Sequence, residues 1–400
     1  MNFLRFSFVF CLFAVVFISP DTYALNGARL LGNSTRDEAM GGATTASPGD
    51  TSAIVKNPAG LVKVGNRFDV GLGLFLPRVT MQPKGALANN GINQKSDAHY
   101  CPIGNIAVSF GDDDTAFGIG FFSLAGVAAE FEDSRITTSL VGDYDRRIEL
   151  KHMRIAPAAA RQLNDKLSVG AALNFGISMF RTDLPVASAG YIENRGSYNW
   201  ETAFGLGYTL GILYDLTREL RFGLSFESET WMSDFKRYDQ VFKRMDIAPV
   251  ASAGLAYDIN PRLEITYDFR YIFWTRSKIT GNIPTAGGFG WRDQRVHAIG
   301  LEFEATDDLI LRAGYNYGRS PIHKDRVFAN ALAPLIAEHH LSLGLSKKID
   351  EEWTADITWV HAFNNSMTDN GLGDAYSASG NGTSIEVEGD IIAVGMSHDF

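Results

Sequence analysis

From Arg67 to the C-terminus, apolar positions recur with a period of two. Phe68, Val70, Leu72, Leu74 and Leu76 alternate with Asp69, Gly71, Gly73 and Phe75, the mark of a strand whose two faces meet different surroundings. The same alternation returns in Ile106/Val108/Phe110, Phe117/Ile119/Phe121 and Leu173/Phe175/Ile177, and again in Phe204/Leu206/Tyr208/Leu210/Ile212 and Leu220/Phe222/Leu224/Phe226. Ile265/Tyr267/Phe269/Tyr271, Ile299/Leu301/Phe303, Leu309/Leu311/Ala313/Tyr315, Leu341/Leu343/Leu345, Trp353/Ala355/Ile357/Trp359 and Ile392/Val394/Met396 continue it. With weaker runs at 148–163 and 246–258 the pattern predicts about fourteen strands, an even number as a closed antiparallel barrel requires.

The connections between these runs sort by length. Short turns at 111–115, 164–166, 217–219, 259–262, 305–308 and 348–352 alternate with long loops at 78–102, 125–147, 181–196, 231–246, 275–291, 319–337 and 364–384. Outer-membrane barrels keep short turns on the periplasmic side and long loops outside, so the pattern predicts an all-β, transmembrane antiparallel barrel over 67–400 with both ends in the periplasm. Trp231, Phe235, Tyr238, Phe242 and Met245 fall at helical spacing within one of the loops, although the first half of that loop also reads as a prolonged strand.

Residues 1–24 read as a cleavable signal peptide. Arg5 supplies the positive start, Phe6 to Ile18 the apolar stretch, and Thr22-Tyr23-Ala24 a small-residue cleavage site. No later run reaches the roughly eighteen apolar residues of a membrane-spanning helix. Residues 25–66 do not alternate; rich in Gly, Ala, Ser and Thr, they suit either a periplasmic tail or a plug within the lumen.

Composition refines this picture. The net charge of −10 disfavours nucleic acid as a partner. The two cysteines, Cys11 and Cys101, leave one after the leader is removed, so no intrachain disulfide is expected. Forty glycines and 12% aromatic residues suit lumen-facing positions, turns and the interfacial girdles of a barrel.

Three stretches carry a family resemblance. Ala39-Met40-Gly41-Gly42-Ala43, Asp50-Thr51-Ser52-Ala53 and Asn57-Pro58-Ala59-Gly60-Leu61 resemble the N-terminal plug, or hatch, of the FadL-type long-chain fatty acid and aromatic hydrocarbon transporters, with Asn57, Pro58 and Ala59 the most specific triplet. Leu206 to Tyr214, Leu311-Arg312-Ala313-Gly314-Tyr315 and His340-Leu341-Ser342-Leu343-Gly344 follow in the family's order along the whole mature chain. The resemblance implies a barrel of fourteen strands closed by residues 25–66, a hydrophobic pocket inside it, and a kink in the third strand through which an apolar ligand leaves into the membrane. The matching stretch, Leu124 to Phe131, has Ala125 before Gly126 where the family usually has Phe-Gly. The loops at 181–196 and 231–246 are shorter than the landing groove of the fatty-acid members.

The chain ends on Ile392-x-Val394-x-Met396-x-His398-x-Phe400, similar to the C-terminal signal by which outer-membrane barrels reach their assembly machinery. The expected surroundings are outer-membrane lipid and lipopolysaccharide, and the expected state a monomer.

Chemistry is sparse. No nucleophile elbow, zinc-protease motif, paired Cys-x-x-Cys or phosphate loop occurs, so neither a catalytic centre nor a cofactor is expected. Ser342 with His340 is the nearest nucleophile and base pair, and a polar lumen stripe explains both. His339 and His340 point to opposite faces of a strand and cannot share a metal ion, while His99 and Cys101 lack a third ligand. Inward parity gathers Arg154, Glu264, Asp268, Arg270, Glu302, Arg312 and His340 in the lumen. Arg270, Arg312 and His340 are candidates for the polar head of a bound ligand, against the alternative that such groups pair across strands. Two further functions stay open beside hydrophobic uptake: an open diffusion porin, and a surface receptor or structural barrel. Whether the ligand is a fatty acid, an alkane or a monoaromatic compound stays open too.

Overall fold

The computed structural model describes residues 25–85, 93–112, 114–131, 146–182, 186–188, 191–193, 199–239 and 243–400. Residues 1–24, with the expected signal peptide, and Phe242 lie outside the described residues. Fourteen long strands follow the period-two segments. The first seven are β1 (Arg67–Gln82), β2 (Cys101–Gly111), β3 (Thr115–Phe131), β4 (Arg146–Asn164), β5 (Leu167–Thr182), β6 (Glu201–Asp215) and β7 (Leu220–Glu227). The second seven are β8 (Val250–Asn260), β9 (Leu263–Ile272), β10 (Gln294–Thr306), β11 (Leu309–Gly318), β12 (His339–Lys348), β13 (Trp353–Thr368) and β14 (Ser384–Asp399). Each pairs antiparallel with its chain neighbours, and β14 pairs β1 from Arg67↔Asp399 to Gln82↔Ser384, closing the barrel.

Parity holds along the walls. Leu173, Leu210, Phe204, Ile357 and Val394 are exposed on the outside, whereas Asn174, Thr209 and Ser178 are buried inside. The closure leaves no free sheet edge, the condition for crossing lipid, and where the β2–β3 ladder stops the plug takes up the backbone of β3. Phe400 stands exposed at the periplasmic rim, its N–H donating to Asn66 O at 3.1 Å.

Three strands run four residues or more past the loop limits read from the pattern, β1 to Gln82, β3 to Phe131 and β13 to Thr368, and others overlap them by a residue or two. In β3 the reason is packing. Leu124 to Ala129 are all buried, so the alternation that marks a strand with one wet or lipid face is absent there. The helical spacing at 231–245 corresponds to no helix among the described residues. Trp231–Met232 instead extends the sheet against Leu206 and Gly205 of β6, while Phe235, Tyr238 and Met245 pack into the outer core.

Residues 25–66 fill the lumen. They form three short helices, α1 (Thr35–Ala39), α2 (Ala53–Lys56) and α3 (Leu61–Val64), joined by tight turns and a 3-10 turn at Pro58–Gly60. Ser34 caps α1 by accepting from Asp37 N. Wall glycines let the segment seat closely: a Cβ on Gly314 would lie 2.2 Å from Gly41 N, and one on Gly170 2.4 Å from Ala59 N.

Candidate functional site

The Asn57-Pro58-Ala59 corner ties the plug to the wall. Asn57 is extended, its Oδ1 accepts from Ala59 N at 3.3 Å, and Pro58 opens the 3-10 turn. Asn57 Nδ2 donates to Thr45 O within the plug at 2.8 Å and to Ile212 O of β6 at 3.0 Å. One side-chain amide therefore joins two plug segments and the barrel.

Further polar contacts hold the plug's periplasmic half. Thr45 Oγ1 donates to Asp268 at 2.6 Å, Asn316 Nδ2 to Gly41 O at 2.8 Å, and Thr358 Oγ1 to Thr35 O at 2.8 Å. Arg36 Nε and Arg312 Nε share Glu302 Oε2 at 2.9 and 2.5 Å. Lys56 Nζ lies 3.4 Å from Asp37 Oδ1; burial pulls its pKa down against the opposing pull of that carboxylate.

These contacts locate the three candidate head-group residues. Arg270 Nη1 donates to Leu31 O of the plug at 3.1 Å. Arg312 is bound to Glu302 and Ser346 within the wall. His340 is fully buried and lies opposite Asn316 across β11 and β12. None of the three lines the apolar cavity described next.

Where β3 meets the plug its ladder changes. Ser123 pairs Met153 and Ala125 pairs His152, so Leu124 is a bulge with no partner on β4. The plug pairs along the opposite edge of β3, where the ladder to β2 has ended. Leu30 N–H donates to Leu124 O at 3.0 Å, Gly126 N–H donates to Ala28 O at 2.9 Å, and Arg29 lies opposite Ala125. Arg29 fixes this segment from its other side, giving Glu227 two bonds of 3.1 and 2.8 Å and Ala248 O one of 2.7 Å. Arg154 Nη2 reaches the same Glu227 at 2.5 Å, while its Nε and Nη1 have no partner among the described residues. Two guanidinium groups thus face one carboxylate.

On the outer side of segment 28–30 lies an apolar cavity of about 40 Å³. Val127, Leu150, Ile247, Trp274, Phe289 and Trp291 are among its walls, with Ala28 and Arg29 as part of its floor. Trp274 and Trp291 meet edge to face at 5.1 Å, and Phe289 stacks on Trp291 at 5.5 Å. Trp274 Nε1 donates to Gln294 and Trp291 Nε1 to Asn330, so both indole donors are used outside the cavity and their apolar surfaces remain.

On the other side of the same segment the wall is interrupted. β2 and β3 pair only from Asn105↔Phe122 to Gly111↔Ala116. The next rung is a side-chain bond, Gly104 N–H to Ser123 Oγ at 3.1 Å, and beyond it β3 follows the plug. A crevice here, between the plug and the wall, has Gly71, Leu72 and Gly73 of β1 in its lining, together with Leu30, Glu38 and Ser123. Towards the periplasm lies a separate polar cavity of about 170 Å³, bordered by Arg36, Asp50, Arg67, Asp69, Glu302 and Arg312.

Sequence parity placed Arg154 in the lumen but did not join it to Arg29 and Glu227. Those two are 198 residues apart, and nothing in either local pattern marks the pair. The aromatic walls come from loops whose spacing carries no period.

Comparison with known proteins agrees with this architecture. The model of the family described as outer membrane protein transport protein (OMPP1/FadL/TodX) matches residues 24–400. A long-chain fatty acid transport protein of Escherichia coli O6:H1 is 21% identical over 391 residues, covering 83% of this chain and 86% of its own. The crystal structure of the toluene transporter TodX of P. putida superposes with a TM-score of 0.75 at 18% identity, over 92% of this chain and 99% of that one. That of a Pseudomonas aeruginosa FadL homologue does so at 0.71 and 14% identity, over 94% and 100%.

Proposed function

Because the chain belongs to the OMPP1/FadL/TodX family of outer-membrane transport proteins, we propose that it takes up hydrophobic small molecules, long-chain fatty acids among them, through the apolar cavity and releases them sideways through the wall. One observation carries this reading: the plug segment Ala28–Leu30 borders both spaces, Ala28 and Arg29 lining the cavity and Leu30 the crevice at β1, β2 and β3. An apolar ligand that displaces this segment stays on apolar surface. The way straight down crosses the ion pairs of Arg36, Glu302 and Arg312 and the polar cavity, where it gains nothing and leaves charged groups desolvated.

The kink expected at Ala125 and Gly126 coincides in this reading with the bulge at Leu124, and the plug is its gate. Arg29 of the Arg29, Arg154 and Glu227 cluster lines the cavity, and the surplus guanidinium of that cluster, with unused donors on Arg154 behind it, supports a carboxylate head there. The aromatic walls support a monoaromatic ligand as the second reading, and the curated relative and the TodX structure carry names of each kind. Arg154→Met separates the two: it weakens oleate binding and leaves toluene binding unchanged if the acid is the ligand.

A reversible lock tests the route. Arg29 and Ala125 face each other as a pair without mutual backbone hydrogen bonds, for which Cα atoms sit about 4.5 Å apart, within disulfide range. With cysteine at both positions, uptake of labelled oleate or toluene stops on oxidation and returns on reduction. Uptake that ignores the lock would sink the proposal.

A further inference from the structure

The crevice between the plug and strands β1, β2 and β3 has one ionisable side chain among its lining residues, Glu38 of the plug helix α1. It is only 3% exposed, and its Oε2 has no hydrogen-bond partner among the described residues. Cations of the plug are committed elsewhere: Lys56 to Asp37 and Gly42 O, Arg36 to Glu302 and Ser47. The other residues in the crevice lining, Gly71, Gly73, Ile103, Asn105, Ser123 and Ala393 among them, are uncharged, while β11, β12 and β13, which also pack against α1, carry Arg312, His340 and Asp356 on their inner faces, Arg312 bound to Glu302 and Ser346 and Asp356 to Ser346. Asp37, on the same helix, is the charged group that bears on it.

We propose that Glu38 is a charge filter in the crevice, which lets uncharged and protonated ligands pass and turns back anionic ones once Glu38 itself ionises. The inference rests on the lateral route above and adds a selectivity to it. A buried acid without a cation is most stable neutral. Burial first, and Asp37 second, push the Glu38 carboxyl up to about 8, so it is a hydrogen-bond donor in neutral medium and an anion in alkaline medium. As a donor it can bond the head of a passing carboxylate. As an anion in a narrow apolar slot it repels that head, while a hydrocarbon or an alcohol meets no such opposition.

The test uses two probes with the same tail, labelled dodecanol and labelled dodecanesulfonate, the latter anionic at every pH used. Uptake is measured in a Gram-negative host without its own long-chain fatty acid transport protein, carrying the full chain or its Glu38→Gln variant. Between about pH 6.5 and about pH 9.5 the parent's sulfonate-to-alcohol uptake ratio should fall at least about tenfold, following loss of the neutral acid, and the variant's ratio should stay level. A level ratio in the parent, or a fall that persists in Glu38→Gln, overturns the filter. The purified protein gives an independent reading: a protonated-carboxyl infrared band at about pH 6.5 that vanishes in Glu38→Gln is expected, and its absence overturns the filter whatever transport does. Failure of the lateral route shows differently, as uptake of both probes unaffected by the Arg29/Ala125 cysteine lock.

Discussion

Leu30 donates its backbone N–H to the carbonyl of Leu124 at 3.0 Å, so at its one bulged residue β3 is held by the plug along the edge that β2 leaves, while Ala125 still pairs His152 of β4. An intramolecular hydrogen bond is worth about 1 kcal/mol net, so a segment held by two such bonds plus one arginine can leave and return.

Replacing Gly126 by proline removes the second of these bonds, the 2.9 Å contact to Ala28 O. This N–H points at the plug, so proline spares the barrel ladder there. The closed state should lose about 1 kcal/mol, roughly a fivefold shift towards the open one. A spin label at Ala28 should become more mobile while the yield of folded barrel holds.

Arg29 and Glu227 should differ in what their loss does. In Arg29→Ala, Glu227 keeps Arg154, so the barrel stays folded and segment 28–30 loosens. Glu227→Gln leaves two buried guanidinium groups without their counter-charge, which costs about 3–5 kcal/mol by analogy with broken buried pairs. Urea unfolding in lipid should show the second variant far weaker than the first, and equal losses would refute this account of the cluster.

Asn57→Ala removes the amide that joins Thr45, Ile212 and the plug corner. Two backbone carbonyls lose a donor, at about 1–3 kcal/mol in all. Planar-bilayer recordings should show raised small-ion conductance with little change in barrel yield. Gly211→Ala should act alike, because its Cβ would come within 2.1 Å of Asn57 Oδ1. Parent-like conductance in both would mean that this corner does not anchor the plug.

On the outer wall, Leu210 is 49% exposed, in a position that meets lipid. Leu210→Arg should cost roughly 2–4 kcal/mol near the mid-plane, and Leu210→Ile little. Unfolding in lipid vesicles measures both, and a harmless arginine would break the register on which the lumen assignment stands.

The barrel was legible in the sequence because a strand between lipid and lumen must alternate, and because turns and loops sort by side. The same logic placed Arg270, Arg312 and His340 inside, and the Asn57-Pro58-Ala59 corner was visible as local turn chemistry. Their partners were visible only in part. Arg312 pairs Glu302 directly across β10 and β11, the cross-strand alternative, whereas Arg270 binds the carbonyl of Leu31, 239 residues away in the plug, a contact that leaves no local period.

The strands, their register parity and the plug's composition are properties of neighbours along the chain, and a single sequence determines them. The bulge at Leu124, the Arg29, Glu227 and Arg154 cluster, and the two cavities bordered by Ala28–Leu30 were decided only in three dimensions. At Leu124 to Ala129 both strand faces are buried, so the alternation that betrays a strand is erased where the plug replaces a rung of the wall.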